Sequence, residues 1–191
     1  MTGIPNGRPI GWDEVEQLFV DFRFTAFRLE TLQTYGSEYE SEHFQNFISE
    51  EQQGIPASVG VTDWDAEVEA GIAAGRRYER VHVVTEPLTD YVRFECAWGY
   101  RRSIASGEDV RILPVTEGDW PDGLPHLDFW LFDSRQLLWM NFAEDSSLVS
   151  TELVDDPEWI VAANTWRDHA MQRSIPFVEY ETRFDTYMHP R

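Results

Sequence analysis

The side chains best suited to binding a small anion are arginines, and they are concentrated in the middle of the chain. All 15 basic residues among the 191 are arginine, since the sequence contains no lysine. Residues 76–111 hold seven of these arginines against six acidic residues, whereas both flanking segments are strongly acidic. Because guanidinium groups bind carboxylates and phosphates in a planar, bidentate way, Arg80, Arg93 and Arg111 predict an anion clamp. The alternative is that these arginines pair with the acidic residues beside them.

Four further residues of this segment are candidates for the same ligand site. His82, within a run of valines, and Glu108 are candidates for proton transfer. Asp90 and Arg93 have the i, i+3 spacing that brings side chains together on one helix face, and Glu95 follows them among aromatic residues. Alternatively, His82 is hydrogen-bonded in the core, and Asp90 and Arg93 form an ordinary salt bridge on the helix surface.

The sequence lacks the common motifs of metal-binding, catalytic and nucleotide-binding sites. His126 and Asp128 could point the same way from one strand, but the five histidines show no H-x-x-x-H spacing and Cys96 is the only cysteine. We therefore predict no metal and no cofactor. A G-x-S-x-G nucleophile motif and a glycine-rich nucleotide loop are both missing, and without lysine there is neither a P-loop nor a Schiff base.

Two aromatic segments, DFWLFD and LLWMNF, predict adjacent strands. Trp130, Phe132, Trp139 and Phe142 would form an interface for a protein partner or a second copy of the chain if they were exposed. The alternative is that they fill the core of a sheet.

The elements that must position these residues alternate between helices and strands. Apolar spacing and capping signals predict helices over 13–22, 37–52 (with a Ser37 cap), 62–75 after a loop over 54–61, and 87–98 from Pro87. A last helix has Asp156 as its cap and Pro157 as its first residue. Strands are predicted over 25–32, 78–85, 110–115 (ending at Pro114), 127–132 and 136–142, the last two as a hairpin. We therefore predict one α+β domain with a mostly antiparallel sheet flanked by helices; the alternative is two half-domains divided near 106.

Composition restricts the class of protein. The formal net charge is −20 and the sequence pI is about 4.4, which disfavours direct binding to nucleic acid. A hydrophobic fraction of 42% is typical of a folded domain. The single cysteine favours a reducing compartment, and neither a signal peptide nor a membrane span is recognisable, so we expect a cytoplasmic protein.

Several separated segments carry a resemblance to a known family. They are residues 25–32 (TAFRLETL), 80–95 (RVHVVTEPLTDYVRFE), 105–113 (ASGEDVRIL) and 128–133 (DFWLFD). From about residue 18 to 180 the chain resembles an actinobacterial family of unassigned function, often encoded beside helix-turn-helix regulators. The order of elements after residue 110 is also similar to the sensor half of such regulators. If that sensor half is phospholipase-D-like, the lack of lysine excludes its His-x-Lys chemistry.

Two functional hypotheses follow from these features. The first is a non-enzymatic regulatory or ligand-sensing domain that acts through contact with a protein such as a DNA-binding regulator; the acidic composition and the resemblance support it. The second is an enzyme or binding protein for a small anionic or phosphorylated metabolite held by the arginine cluster.

Overall fold

The structure is a computed structural model that describes residues 5–36, 38–53 and 63–191. Its centre is one eight-stranded sheet with the order β1-β7-β6-β5-β2-β3-β4-β8. The strands are β1 Arg8–Ile10, β2 Thr25–Glu30, β3 Arg77–Glu86, β4 Asp109–Thr116, β5 Asp128–Phe132, β6 Gln136–Phe142, β7 Leu148–Val154 and β8 Ile175–Pro176. Only the β2–β3 and β3–β4 pairs are parallel, so the predicted mostly antiparallel α+β architecture is confirmed.

Helices cover both faces of the sheet. They are α1 Trp12–Asp21, α2 Glu38–Gln53, α3 Asp63–Ala73, α4 Asp90–Phe94, α5 Tyr100–Ala105, α6 Pro157–Arg173 and α7 Phe177–Tyr180. A π-helical turn, Glu95–Gly99, connects α4 to α5, and a 3-10 turn, Glu181–Arg183, follows α7. Among the described residues, none of these helices has both the length and the apolar composition that crossing a membrane requires.

Side chains of each strand alternate between the two faces of the sheet, as strand geometry requires. On the first face, Phe27, Val81, Phe129 and Leu137 form one apolar cluster with α6. The second face carries two apolar clusters: one contains residues of α1 and α3, and the other contains residues of α4, α5 and α7. The polar side chains of β2 and β3 lie on this second face, and they position the candidate site.

Several predicted boundaries differ from the structure. The helix predicted from Pro87 begins at Asp90, because the Thr89 side chain accepts a hydrogen bond from the Val92 N–H and caps it. Strand β4 continues through Pro114, which pairs with Val84. The strands β1, β7 and β8 were not predicted, whereas the hairpin and the Asp156 cap of α6 are confirmed. The predicted Ser37 cap, the loop over 54–61 and Thr62 lie outside the described residues.

Strands from both halves of the chain are interleaved in the sheet. β5 pairs with β2, and β4 pairs with β3, so each half contributes strands to the same hydrogen-bonded ladder. A division near residue 106 therefore does not separate two sheets.

Candidate ligand-binding site

A row of buried charged and polar side chains crosses the second face of the sheet between its two apolar clusters. Arg28 and Arg80 are paired residues of β2 and β3, and Glu30 and His82 are the next pair on the same face. Like charges directly opposite each other destabilise a sheet, so the two arginines need carboxylates between them. We call this row the charge seam; it consists of the buried residues Arg28, Glu30, His82, Tyr100, Glu108 and Asp128 and of Arg80, whose side chain is 13% exposed.

Glu30 is the central carboxylate of the charge seam. It accepts hydrogen bonds from Arg80 Nη1 at 2.6 Å and from the Tyr100 hydroxyl at 2.9 Å, and Arg28 Nε lies 3.6 Å away. Burial raises the pKa of Glu30, but the Arg80 and Arg28 guanidinium groups outweigh this effect and lower it to about 2. Glu30 is therefore ionised and locks the two arginines in place.

The other two carboxylates hold the ends of the seam. Glu108 Oε1 accepts a hydrogen bond from Arg80 Nε at 2.8 Å. Asp128 accepts hydrogen bonds from Arg28 Nη2 at 3.0 Å, from the Thr31 N–H at 2.9 Å and from the Tyr35 hydroxyl at 2.5 Å. Two of the three Arg80 nitrogens are thus engaged by carboxylates, which fixes the orientation of this guanidinium.

A cavity of about 860 Å³ opens above the seam. Arg80 and Tyr100 belong to both the seam and the cavity wall. The rest of the wall comes from α1, the described part of α2, the first turn of α3, the last residue of α4, the π-helical turn, α5 and β5. Its aromatic residues are Trp12, Trp64, Phe94, Trp98, Tyr100 and Trp130, and its polar residues are Glu16, His43, Asp63, Arg80, Glu95, Arg102 and Ser103. We call it the tryptophan cavity.

The π-helical turn shapes one wall of the tryptophan cavity. Such turns insert one residue into a helix and are frequent at functional sites. Here the turn brings Glu95, Trp98 and Gly99 to the cavity wall. A Cβ atom at Gly99 would lie 2.8 Å from Glu95 Oε2, so the glycine leaves room for that carboxylate.

Three residues that line the cavity also have a buried N–H group without an acceptor. Trp64 Nε1, Trp98 Nε1 and Arg102 Nε are buried, and none of them has a hydrogen-bond acceptor among the described residues. Arg102 Nε lies 3.1 Å from Asp65 Oδ2 but without the angle that a hydrogen bond requires. A buried donor without an acceptor costs about 1–3 kcal/mol and calls for a specific explanation.

The three arginines of the predicted anion clamp do not converge. Arg80 lies in the charge seam, whereas Arg111 is adjacent in β4 to Val110 and Ile112 of the second face and therefore points to the opposite face. There it donates to Ser174 Oγ at 3.0 Å and to the Ser174 carbonyl oxygen at 2.9 Å. The predicted clamp is therefore corrected: its members lie on different sides of the molecule.

Arg93 lies in a third place. It donates to Asp90 Oδ1 at 2.9 Å and to the Tyr187 carbonyl oxygen at 3.1 Å, beside a separate cavity of about 690 Å³. The helix-surface salt bridge that the i, i+3 spacing suggested is thus formed. Of the predicted ligand residues, the structure brings together Arg80, His82 and Glu108, with Glu95 on the wall of the cavity above them.

The aromatic residues of the hairpin do not form an exposed interface. Trp130, Phe132 and Trp139 are buried, at 8%, 0% and 7% exposure, and Phe142 packs edge-on against Tyr35. The alternation along β5 and β6 puts Trp139 under α6 and Phe132 under α1, so both faces of the hairpin are covered. The predicted interface is corrected to a core sheet, with Trp130 also lining the tryptophan cavity.

Cys96 and His126 lie in surroundings that explain them as structural residues. Burial raises the pKa of the Cys96 thiol well above its usual range, which keeps it protonated. The His126 ring stacks on Trp120 with centroids 3.8 Å apart. Among the described residues, no group of three His, Cys, Asp or Glu side chains could hold a metal ion.

Sequence reasoning missed several residues of the site. The sequence predicts a strand over 25–32, but its polar members Arg28 and Glu30 were not connected with Arg80 and His82 of β3. Each of the two strands has polar residues at every second position, which places them on one face of the sheet. This spacing is the signal that could have connected the two pairs of residues once β2 and β3 were known to be neighbours. The sequence does not indicate that Trp12 and Trp98 line the same cavity, because this depends on how α1 and the π-helical turn pack against the sheet.

Comparisons with known proteins give similarities to a protein family and to solved structures. A family model described as a domain of unknown function, DUF6879, matches residues 13–182. Among solved structures, a phospholipase D family member, Nuc, from Salmonella typhimurium is similar at 9% sequence identity and a TM-score of 0.48, over 86% of this chain and 88% of that one. The comparison with curated proteins gives no significant match.

Proposed function

The chain belongs to the DUF6879 family, a domain of unknown function, and we propose that it is a non-enzymatic ligand-sensing domain that binds a small molecule in the tryptophan cavity. The observation that carries the proposal is the cavity itself, with its volume of about 860 Å³ and its tryptophan wall. Small-molecule sites typically have volumes of about 300–1,000 Å³, largely aromatic or apolar walls and a few fixed polar groups.

The floor of the cavity supports binding because it is already ordered. Arg80 is held by Glu30 and Glu108, and its guanidinium carbon lies 5.8 Å from the centre of the Tyr100 ring. A polar group fixed before the ligand arrives costs little ordering entropy on binding. The charge seam therefore serves as a rigid base, and the ligand would contact the helices above it.

The same geometry supports sensing. Trp12 begins α1, which packs in one apolar cluster of the second face, and Trp98 belongs to the π-helical turn, which packs against the other. A ligand that touches both tryptophans bridges two parts of the molecule, and it stabilises whichever arrangement of them it binds best. Occupancy of the cavity would thus be transmitted to helices at the surface.

Trp12 offers a test that separates binding from folding, because it is 59% exposed. A library of aromatic fragments should yield binders, measured by ligand-observed NMR, and Trp12→Ala should weaken them by about tenfold, as interface tryptophans do. Phe24→Ala is the matched control, since Phe24 is 68% exposed and is not part of the cavity wall. A library without binders, or binders that Trp12→Ala and Phe24→Ala affect equally, would contradict the proposal.

A second candidate is regulation through contact with a DNA-binding protein, and the net charge of −20 favours it. An acidic protein can occupy the basic face with which a helix-turn-helix regulator contacts DNA. Affinity for such a regulator should fall steeply between low and physiological ionic strength. Failure to recover any DNA-binding protein in a low-salt pull-down would count against this candidate, and it would leave ligand binding in the cavity unaffected.

A further inference from the structure

We infer that the ligand of the tryptophan cavity is a small organic cation. This inference rests on the proposed function and specifies the class of ligand. Three features of the described residues support it. Helical parts of the wall combine a tryptophan with a carboxylate, the arginines of the wall are paired with carboxylates of their own, and aromatic rings of the floor already contact a guanidinium group.

Three helical elements each bring one tryptophan and one carboxylate to the wall. The three combinations come from α1, the first turn of α3 and the π-helical turn, and they are Trp12 with Glu16, Trp64 with Asp63, and Trp98 with Glu95. Trp12 and Glu16 are one turn apart, so they lie on the same face of α1. An indole face attracts a cation through its quadrupole, and a carboxylate attracts it by its charge. Both members of each combination therefore favour the same kind of ligand.

The arginines of the wall do not make the cavity basic. Arg80 donates to Glu30 and Glu108, and Arg102 Nε lies 3.1 Å from Asp65 Oδ2. These two guanidinium groups thus have three carboxylates beside them, in addition to the three carboxylates that accompany the tryptophans. The surroundings of the cavity therefore carry a negative formal charge, which repels an anion and attracts a cation.

The floor of the cavity contains an internal example of such a contact. The Arg80 guanidinium carbon lies 5.8 Å from the centre of the Tyr100 ring and 6.0 Å from the centre of the Trp130 ring. These distances are within the range of cation–π attraction. Trp12 is 59% exposed and Trp98 is half-buried, so part of each ring is accessible to a cation from solution.

The size and composition of the cavity favour an organic cation over a metal ion. Its volume of about 860 Å³ is much larger than a single ion, and among the described residues no group of three His, Cys, Asp or Glu side chains could hold a metal ion. An apolar body can fill the space between the tryptophans while the charged nitrogen stays near a carboxylate. An alkylated ammonium group is well suited to this arrangement, because it binds aromatic faces and needs no hydrogen-bond acceptor.

Three compounds with the same benzene ring test the inference. Benzyltrimethylammonium is cationic, phenylacetamide is neutral, and phenylacetate is anionic. Isothermal titration calorimetry should give the ammonium compound the lowest Kd, about tenfold below that of the amide, because cation–π and charge attraction both act on it. Equal or tighter binding of the amide or of the acetate would overturn the inference.

Glu16→Gln tests the charge of the wall. Glu16 is exposed, so its replacement should weaken the binding of benzyltrimethylammonium by about threefold and leave that of phenylacetamide unchanged. Glu144→Gln is the matched control, since Glu144 is exposed and is not part of the cavity wall. The inference is wrong if the two variants bind the ammonium compound equally well.

Trp12→Leu tests the aromatic contribution, because it keeps an apolar side chain and removes the ring. The preference for the ammonium compound over the amide should decrease by about threefold in this variant and not in Phe24→Leu. An unchanged preference in Trp12→Leu would contradict the inference. If neutral aromatic fragments bind in the cavity and benzyltrimethylammonium does not, the inference fails and the proposed function stands.

Discussion

His82 and Tyr100 are joined by a contact of 2.7 Å between the imidazole Nδ1 and the phenol oxygen. His82 Nε2 lies 2.7 Å from the Leu32 carbonyl oxygen, which can only accept, so Nε2 carries a hydrogen. The single Tyr100 hydroxyl proton faces two acceptors, Nδ1 of a neutral His82 and Glu30 Oε2 at 2.9 Å. The hydroxyl hydrogen can occupy only one of these two contacts as long as His82 is neutral and Glu30 is ionised.

The state of His82 is the first prediction. Burial lowers the pKa of His82, although the Glu30 carboxylate opposes this effect, so the ring should be neutral at pH 7 with its hydrogen on Nε2. The 15N chemical shifts of the ring should show one protonated and one unprotonated nitrogen. Protonation of both nitrogens at pH 7 would contradict this prediction.

The lowered pKa of His82 also makes stability depend on pH. An unfolded histidine titrates near pH 6.5, whereas folded His82 binds its proton only at lower pH. Between these two values the unfolded chain holds more protons, so the free energy of unfolding should decrease as the pH falls below about 6.5. Urea titrations of the wild type and of His82→Gln should show a smaller decrease in the variant. An equal decrease in both proteins would show that His82 does not contribute to the pH dependence of stability.

Glu30→Gln should be strongly destabilising. Removing one partner of a buried ion pair costs about 3–5 kcal/mol, because Arg80 and Arg28 would lose their shared carboxylate. The pKa of Glu30 is lowered from 4.5 to about 2 in the folded protein. Ionised Glu30 therefore stabilises the fold above pH 4.5, and this stabilisation is lost as the pH falls toward 2. The free energy of unfolding should thus depend less on pH between 4.5 and 2 in the variant than in the wild type, as measured by denaturant titrations at several pH values. Glu14→Gln, which removes an exposed pair with Arg8, should change stability little.

Gly71→Ala should destabilise the packing of α3 on β3. The added Cβ would lie 2.8 Å from Cζ of Tyr78, a ring that is 1% exposed and cannot move aside. Overpacking of this kind costs about 1–3 kcal/mol. Gly11→Ala is the control, because its Cβ would meet nothing within 4 Å. Thermal or chemical denaturation of the two variants compares them directly, and equal stabilities would refute the close contact.

Phe132→Ala tests whether the hairpin is core or interface. Phe132 is fully buried in the cluster with α1, so truncation should cost about 3–5 kcal/mol in unfolding free energy. Sedimentation velocity should show the same oligomeric state as the wild type. Val149→Ala, at a residue that is 62% exposed, should change neither property. A change of oligomeric state without loss of stability would restore the interface hypothesis.

The parts of the fold that local patterns encode were predictable. The hairpin of β5 and β6 is encoded by two apolar runs on either side of a short polar turn, and the start of α6 is encoded by the Asp156 cap followed by Pro157. Both predictions are confirmed. The short edge strands β1 and β8 were not predictable, because strands of two or three residues carry too little pattern and form only by pairing with a longer neighbour.

The sequence by itself determined which residues carry charge, which strands alternate, and that the acidic excess is broken by an arginine-rich middle segment. Only the tertiary structure decided which arginines meet. Arg80 and Arg111 lie on neighbouring strands, yet their different parity relative to the β3–β4 register sends them to opposite faces of the sheet. The four tryptophans of the cavity come from four separate elements. Their packing is fixed by the summed burial of the whole chain and not by the spacing within any one segment.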